Sequence, residues 1–392
     1  MREKAVEDPP QERELEPPRS TEPIRTRRFG PWIGGRERTG SAVAFERKSP
    51  GLRTVCGRSG MDEFREVLEV VQAGDPRGGS RRSAPDAVER LLAELCRYGS
   101  WADDLEILAR VGPGELEGEL DTIAELDLAA VRDSSENARP GELLLFAAHW
   151  SYLVADLVRG IAPTLAGGGA VILCTDGALP LAAHSVAEAA AAAGLPISGL
   201  HVLHGLPLAE VGSALPGELA ERCRVRGRLE HEAELSASLL ALERAGLSRV
   251  ELDLPRAQAA NVSEHDDPAV AASRILRCLD PWPFLGGQRP GFASRLRVHP
   301  KIFAALTEAL LEGLEDRSSR NARIPAFQSS SEREFSAAIR HALGQGATLI
   351  HGLEDGRFRF EPVLVTNCEE HMGIVHDDRP RPLLSLRRNA AR

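Results

Sequence analysis

Cysteine and histidine give this sequence its widest chemical range, since a thiolate or an imidazole can act as nucleophile, base or metal ligand. Six cysteines are scattered along the chain, at positions 56, 96, 174, 223, 278 and 368. No two of them form a CxxC pair, and none has a histidine at the spacing of a zinc site. The pattern predicts reduced thiols, with neither a disulfide framework nor a metal.

Histidines at two places could take part in binding. His149 and Trp150 end a run of apolar residues that predicts a buried strand, and α/β sheets bind ligands at the carboxyl ends of such strands. A histidine packed in the core is the commoner alternative. His371, in the sequence EEH at 369–371, lies near His376, but the spacing is typical of no metal site and we interpret it as a solvated loop.

The composition excludes several classes of protein. A net charge of −10 argues against a broad nucleic-acid-binding surface, because such surfaces concentrate lysine and arginine. No run approaches the roughly 20 apolar residues of a membrane span, and the N-terminus is charged rather than apolar. We therefore expect a cytoplasmic protein whose partner is a small molecule, with no nucleic acid and no membrane.

Strand and helix patterns alternate from Glu142 onward. A continuous apolar run at 143–149, a helix at 151–166, three glycines and a second apolar run at 170–174 form a βαβ pattern. The pattern continues through predicted strands at 200–204, 223–226 and 249–254, joined by helices at 180–194, near 207–221 and at 230–246. Such alternation predicts a doubly wound parallel sheet with helices on both faces.

The chain is predicted to contain two α/β units. Residues 1–28 are rich in Glu, Arg and Pro and predict a disordered tail. The first unit covers 29–250 and begins with a helical section, with helices at 62–73, from Ala84, and at about 101–111 and 114–130. The second unit covers 251–386, with strands at 294–298, 347–351 and 361–366, before a short tail at 387–392.

Five segments in order resemble the aldehyde dehydrogenase superfamily. They are GPWIGG with KSPG near the start, HWSYL with IAPTLAGGGAVILC, GLPISGLHVLHG at 194–205, GGQRPGFASRLRVHPKIF at 286–303, and FEPVLVTNC at 360–368. The resemblance implies an aldehyde-dehydrogenase-like α/β fold, in which a Rossmann-like doubly wound parallel sheet is joined to a second, catalytic-type α/β domain. It also implies NAD or NADP as cofactor and a small-molecule aldehyde as substrate.

The same resemblance assigns three catalytic positions. In the family, a cysteine thiolate attacks the aldehyde, an amide side chain and a backbone N–H hold the oxyanion, and a glutamate activates water. Pro290 stands at the nucleophile position, where it supplies neither a thiol nor an N–H. Ser151 stands at the oxyanion position and Asp253 at the general-base position, with Glu251 as the neighbouring alternative. A strand-end acid without a catalytic role is an equal interpretation of Asp253.

The cofactor positions implied by the resemblance are degenerate, and they fall on Trp150, Cys174, Gly227 and Asp378. Cys174 replaces a lysine that reaches the ribose, and Gly227 is the one glycine left of the pyrophosphate turn. Glu230 and Glu232 bring negative charge to that turn, where Arg226 and Arg228 could compensate. We therefore expect poor affinity for NAD or NADP.

These substitutions lead to three hypotheses. The first is a family member in which NAD(P)-dependent oxidation of an aldehyde is lost or vestigial. The second is a non-catalytic binding or regulatory pseudoenzyme. The third is a truncated gene product, because the sequence ends some tens of residues before the family's usual end. A brief polar link between Val131 and Gly141 replaces the family's oligomerisation hairpin, so a family-type oligomer is not expected.

Overall fold

The computed structural model describes residues 25–38, 43–49, 52–74, 84–97, 141–152, 154–175, 180–280, 287–319, 329–352 and 362–389. Most of the expected tail at 1–28 and the helices expected at 101–111 and 114–130 lie outside these residues. The tail prediction is wrong for its last four residues, because they belong to strand β1 (Arg25–Phe29).

The N-terminal strands form a small sheet and a hairpin. After β1 come β2 (Trp32–Ile33), β3 (Arg36–Glu37), β4 (Val43–Ser49) and β5 (Leu52–Gly57). β1 pairs in parallel with β5, and β4 pairs with β5 in the antiparallel sense. β2 and β3 instead extend the main sheet of the molecule. Two helices follow, α1 (Met61–Ala73) and α2 (Ala84–Arg97).

The main sheet has seven strands in the order β10-β9-β6-β7-β8-β2-β3. Its parallel strands are β6 (Leu143–Ala148), β7 (Ala170–Thr175), β8 (Leu200–His204), β9 (Cys223–Arg228) and β10 (Val250–Asp253). Successive strands from β6 to β8 extend the sheet in one direction, and β9 and β10 extend it in the other. The predicted doubly wound parallel sheet is therefore confirmed, with its topological switch point between β6 and β9.

Helices cover both faces of this sheet because β6 and β7 are apolar on both sides. Leu144 and Phe146 pack beneath α2, α3 (Val154–Ala166) and α4 (Pro180–Ala192). Leu143 and Leu145 face the opposite core, which contains α1, α5 (Leu208–Val211), α6 (Gly217–Ala220) and α7 (Glu232–Arg244).

The single helix expected near 207–221 is broken into α5 and α6. A 3₁₀ turn at Gly212–Ala214 follows α5, and Pro216 caps the start of α6. A Cβ on Gly212 would lie 3.0 Å from the Ala241 carbonyl oxygen, so the glycine lets this turn approach α7 closely. Proline cannot continue the preceding helix, because it lacks an N–H donor.

A second sheet of five strands has the order β11-β12-β15-β14-β13. Its strands are β11 (Gln258–Val262), β12 (Ala293–Val298), β13 (Thr348–His351), β14 (Val363–Thr366) and β15 (Leu383–Arg388), and its helices are α8 (Pro268–Arg277), α9 (Phe303–Ser319), α10 (Ser329–Gly344) and α11 (Gly373–His376). All neighbours are parallel except β13 and β14.

Two of the predicted unit boundaries fall inside strands. The boundary between 250 and 251 cuts β10, which is hydrogen-bonded to β9 along its length and so belongs to the seven-stranded sheet. The boundary at 386 cuts β15, because Arg387 and Arg388 pair with β12. Within the described part of the chain, no helix combines the length and the apolar character needed to cross a membrane.

Three buried histidines attach the N-terminal hairpin to the main sheet. The Nε2 atoms of His184 and His204 lie 3.0 Å apart and both reach the Gly30 carbonyl oxygen. His201 Nδ1 lies 3.4 Å from the Gly34 backbone nitrogen. Burial, with repulsion from His184, lowers the pKa of His204 to about 3, and burial lowers the pKa of His201 to about 4. Both rings are therefore neutral in the folded protein near pH 7.

Acidification is predicted to destabilise the fold through these histidines. Their folded-state pKa values lie below the unfolded value of 6.5, so the stability is present above pH 6.5 and is lost as the pH falls toward 4. At pH 5 each histidine is expected to cost about 2 kcal/mol, at about 1.4 kcal/mol per pKa unit. Urea unfolding at several pH values measures this slope.

The slope should be shallower in His204→Gln than in the wild type. His265→Gln is the control, because His265 is exposed and its loss should leave the slope unchanged. An identical slope in His204→Gln and the wild type would show that His204 is not the titrating group.

Candidate functional site

The candidate site lies at the switch point, where the carboxyl ends of β6 and β9 separate. His149, Trp150 and Ser151 follow β6 directly, and Leu229 and Glu230 follow β9. The apolar residues of β6 are buried as far as Ala148. The residues that follow, beginning with His149, therefore lie at the carboxyl edge of the sheet. Parallel sheets bind ligands in the crevice outside such strand ends.

Glu230 bridges this crevice from β9 to β6. Its Oε2 atom accepts a hydrogen bond of 3.0 Å from the indole Nε1 of Trp150 and a short one from His149 Nε2. Burial raises the pKa of Glu230, but these hydrogen bonds outweigh it and hold the pKa below its ordinary value. An ionised carboxylate therefore occupies the crevice, where two protein N–H groups donate hydrogen bonds to it.

The hydrogen-bonding partners of His149 fix its tautomer. The backbone N–H of Ser151 points at Nδ1 over 3.2 Å, so Nδ1 must accept and the ring proton lies on Nε2, facing Glu230. The Ser151 hydroxyl lies 2.8 Å from the same Nδ1 atom and donates to it. Ser151, placed at the oxyanion position by the sequence, therefore spends its one hydroxyl donor on a neighbouring ring.

Arg228, at the end of β9, brings two predicted site residues together. It donates to Ser151 Oγ over 3.3 Å and to Asp253 Oδ1 over 3.1 Å. Its guanidinium also lies over the Tyr152 ring, 4.9 Å from the ring centre. Asp253, placed at the general-base position, is 61% exposed and forms an ion pair with Arg228. This geometry agrees with the alternative interpretation of Asp253, in which it is an acid at a strand end without a catalytic role.

Arg226 and Arg228, which were expected to compensate the charge of Glu230 and Glu232, pair with acids of β10. Arg228 is engaged with Ser151 and Asp253, and Arg226 forms an ion pair with Glu251. Alternate residues of a strand project from the same face, so both arginines lie on one face of β9, where they contact acids of β10. Glu230 is bound instead by His149 and Trp150.

Gly227 is required by the sheet itself. Its φ is +130°, a conformation that side chains other than glycine rarely adopt. A Cβ atom there would overlap the backbone carbonyl oxygen of Ala147 on β6. The glycine therefore allows β9 to approach β6. This packing is enough to explain why position 227 is a glycine, without a phosphate that approaches closely.

The remaining predicted cofactor positions are Cys174 and Asp378. Cys174 is buried in the core beneath α1, where burial raises its pKa to about 12. Asp378 forms an ion pair of 2.9 Å with Arg256 in a cleft of about 770 Å³. The carboxylates that line this cleft are Glu230, Glu232, Glu334, Asp377 and Asp378, and its arginines are Arg256 and Arg379.

The residues at these positions do not fit an anionic dinucleotide. The cleft carries five carboxylates and two arginines, so it repels phosphate groups. The N-terminus of α7 would ordinarily attract a phosphate, but its first turn already carries Glu232 and Glu234. The buried thiol of Cys174 cannot donate to a ribose as a lysine would.

Pro290 lies in a loop that is fastened on both sides. The Gly291 backbone N–H donates to the Arg256 carbonyl over 3.0 Å, and Arg289 forms a short ion pair with Asp156 of α3. Cys278, the cysteine nearest in sequence, caps the end of α8 and bonds to the Arg274 carbonyl of that helix at 3.7 Å. Burial raises the pKa of Cys278, so this thiol is not activated.

Comparison with known proteins identifies the architecture. The family model described as the aldehyde dehydrogenase family matches residues 134–389. The chain belongs to the aldehyde dehydrogenase family. The solved structure of an Escherichia coli NADP-dependent enzyme superposes with a TM-score of 0.79 at 18% identity, covering 93% of this chain and 81% of that one. The predicted family and fold are thus confirmed.

Two curated relatives show how distant the similarity is. The 3,6-anhydro-α-L-galactose dehydrogenase of a Vibrio species is 24% identical over 256 residues, which cover 60% of this chain and 51% of the relative. The non-phosphorylating aspartate-semialdehyde dehydrogenase of Halomonas elongata is 27% identical over 251 residues, covering 60% and 48%. The chain spans about half the length of these relatives.

Two sets of contacts were not predicted from the sequence, the contact of His149 with Glu230 and the pairing of the β9 arginines with the acids of β10. The first joins residues 81 positions apart, and no local pattern marks it. The second had a signal in the alternation RVRGR at 224–228, which places three arginines on one face of a strand. Among the described residues, no group of three or more His, Cys, Asp or Glu side chains could hold a metal ion.

Replacing Glu230 is predicted to destabilise the protein. Glu230→Ala leaves the His149 and Trp150 N–H groups without an acceptor, at a cost of about 2–3 kcal/mol, because unsatisfied buried donors are expensive. Glu230→Gln retains an acceptor and should cost about 1 kcal/mol. Urea denaturation measures both. Glu243→Ala, an exposed site at the end of α7, is the control, and an equal loss in that variant would contradict a specific role for Glu230.

Proposed function

We propose that this chain is a family member that has lost thiol-dependent oxidation of aldehydes. The proposal rests on Pro290, which the resemblance of GGQRPGFASRLRVHPKIF to the family's segment assigns to the nucleophile position. Covalent catalysis in the family begins when a thiolate adds to the aldehyde carbonyl. Proline supplies no attacking atom, and it lacks the backbone N–H that would help to hold the oxyanion.

No other cysteine of the chain is equipped to replace the missing thiol. All six cysteines are described, and burial raises the pKa of each one. The thiolate is the nucleophile, and reactive cysteines have a lowered pKa. In Cys174 and Cys223 the pKa reaches about 12, so these thiols are fully protonated near pH 7.

The supporting catalytic groups are committed to other partners. The Ser151 hydroxyl donates to His149, and Asp253 forms an ion pair with Arg228. An oxyanion donor must be free to bind the developing charge, and a general base must be free to accept a proton from water. The contacts of Ser151 and Asp253 meet neither requirement. They therefore support the same proposal as Pro290.

The two curated relatives are named as dehydrogenases, one of them acting on aspartate semialdehyde. For this chain we propose that the scaffold is retained and that the reaction is not. The six free cysteines support a reducing, cytoplasmic location.

An activity assay tests the loss of aldehyde oxidation. Purified wild-type protein is incubated with acetaldehyde, benzaldehyde or succinate semialdehyde and either NAD⁺ or NADP⁺, and formation of the reduced nucleotide is followed. No formation above a heat-treated control is expected. Pro290→Cys should gain a thiol that reacts with iodoacetamide and yet remain inactive, because Ser151 and Asp253 are still engaged. Heat-sensitive formation of reduced nucleotide by the wild type would contradict the proposal.

A second candidate is a non-catalytic binding protein that uses this scaffold for a ligand. One observation favours it: a cleft of about 500 Å³ lies beside α3 and is lined by three arginines. The cleft has one carboxylate, Asp156, beside these three arginines, so its charge favours an anionic ligand.

A further inference from the structure

Strand β9 carries three arginines on one face. Arg224, Arg226 and Arg228 occupy alternate positions, so their side chains project on the same side of the sheet. The neighbouring edge strand β10 presents Glu251 and Asp253, which stand opposite Arg226 and Arg228 in the parallel register. A row of guanidinium groups therefore runs along the sheet toward the switch point.

The cleft beside this row lies between α3 and β9. Its volume is about 500 Å³. The charged groups at its wall are Arg159 and Asp156 of α3 and Arg224 and Arg226 of β9. It is separate from the acidic cleft that contains Asp378 and Glu230, which is lined by different residues.

The positive charge of this cleft is incompletely neutralised. Arg224 and Arg226 share one carboxylate, Glu251, at 2.7 Å and 3.5 Å respectively. Arg159 lies 3.2 Å from Asp156, a carboxylate that also pairs with Arg289. Arg226 is 47% exposed and Arg159 is 56% exposed, so both guanidiniums can reach a ligand in the cleft.

Arg224 supplies a second, independent observation. Its Nε atom is buried and has no hydrogen-bond partner within the described structure. Buried guanidinium donors are normally satisfied, because an unpaired one loses its hydration without compensation. Arg224 also lines the cleft, and its side chain is 29% exposed. Guanidinium groups bind carboxylate or phosphate through two parallel hydrogen bonds, and a modest shift of Arg224 toward a bound anion would satisfy its Nε donor.

The floor of the cleft is apolar. Leu144 and Phe146 of β6 form its base, beside Pro163 of α3. The Phe146 and Tyr152 rings pack 5.3 Å apart, and Gly160 allows the Phe146 ring to lie against α3, since a Cβ there would be 2.6 Å from the ring. A ligand with both an apolar body and an anionic group would match this floor and wall.

We propose that the cleft between α3 and β9 is a binding site for a small organic anion, a phosphate or carboxylate carried on an apolar body. The anion pairs with Arg224, Arg226 and Arg159, and the apolar body lies on Leu144 and Phe146. The site does not depend on Pro290 or on a nucleotide cofactor, so it stands whether or not the chain oxidises aldehydes.

Isothermal titration of the full chain tests the site. Phenyl phosphate and benzoate are the anionic probes, and benzyl alcohol is the neutral probe of similar shape. At least one anion is expected to bind saturably, and benzyl alcohol is not. The anion that binds more tightly identifies whether phosphate or carboxylate is preferred. Arg226→Gln and Arg159→Gln should each weaken binding at least tenfold, with folding checked by urea denaturation.

Arg65→Gln is the matched control. Arg65 is an exposed arginine on α1, paired with Asp62, and its replacement changes the net charge by the same amount. Binding should be unchanged in this variant. Absence of binding by both anions at millimolar concentration would overturn the proposal, as would equal weakening by Arg65→Gln or equal binding of benzyl alcohol.

Discussion

The contact on which the site depends is the bridge from Glu230 to His149 and Trp150. The half-buried Glu230 carboxylate at the switch point must be matched by donors, because an unpaired charge in that position is costly. Parallel sheets bind ligands between two such strand ends, and here side chains of the protein join them. This bridge also orients His149 so that its other nitrogen accepts from Ser151.

The substitutions in the family's site form a consistent set. Each group that the family reaction would use is either absent, as at Pro290, or bonded within the protein, as at Ser151 and Asp253. Gly227 survives because β9 must pass close to Ala147, which is a requirement of the fold alone. Under the proposed function, the contacts of Ser151 and Asp253 stabilise the scaffold and conflict with the family reaction.

The sequence predicted the sheet well where burial dictates the pattern. β6 and β7 are largely continuous apolar runs because helices cover both faces, and the positions of β6, β7 and β8 were predicted closely. β11 was missed because QAANV is short and half polar, as suits an edge strand, and the helix expected near 207–221 was overestimated because the turn at Gly212 and Pro216 interrupts a helical pattern. The predicted unit boundaries fall inside β10 and β15. Each of these strands belongs to its sheet because it pairs with another strand, β10 with β9 and β15 with β12, and the local sequence does not show that pairing.

The site was only partly predictable. The loss of the thiol follows directly from Pro290, but the role of Glu230 depends on a contact between residues far apart in sequence. The arginines of β9 were visible as an alternation, yet their partners depend on the register of β10, which the sequence does not reveal. The most direct test of the closed switch point is calorimetric titration of the wild-type chain with NAD⁺ and with NADP⁺. No saturable binding of either nucleotide is predicted, whereas saturable binding at micromolar concentration would contradict the account.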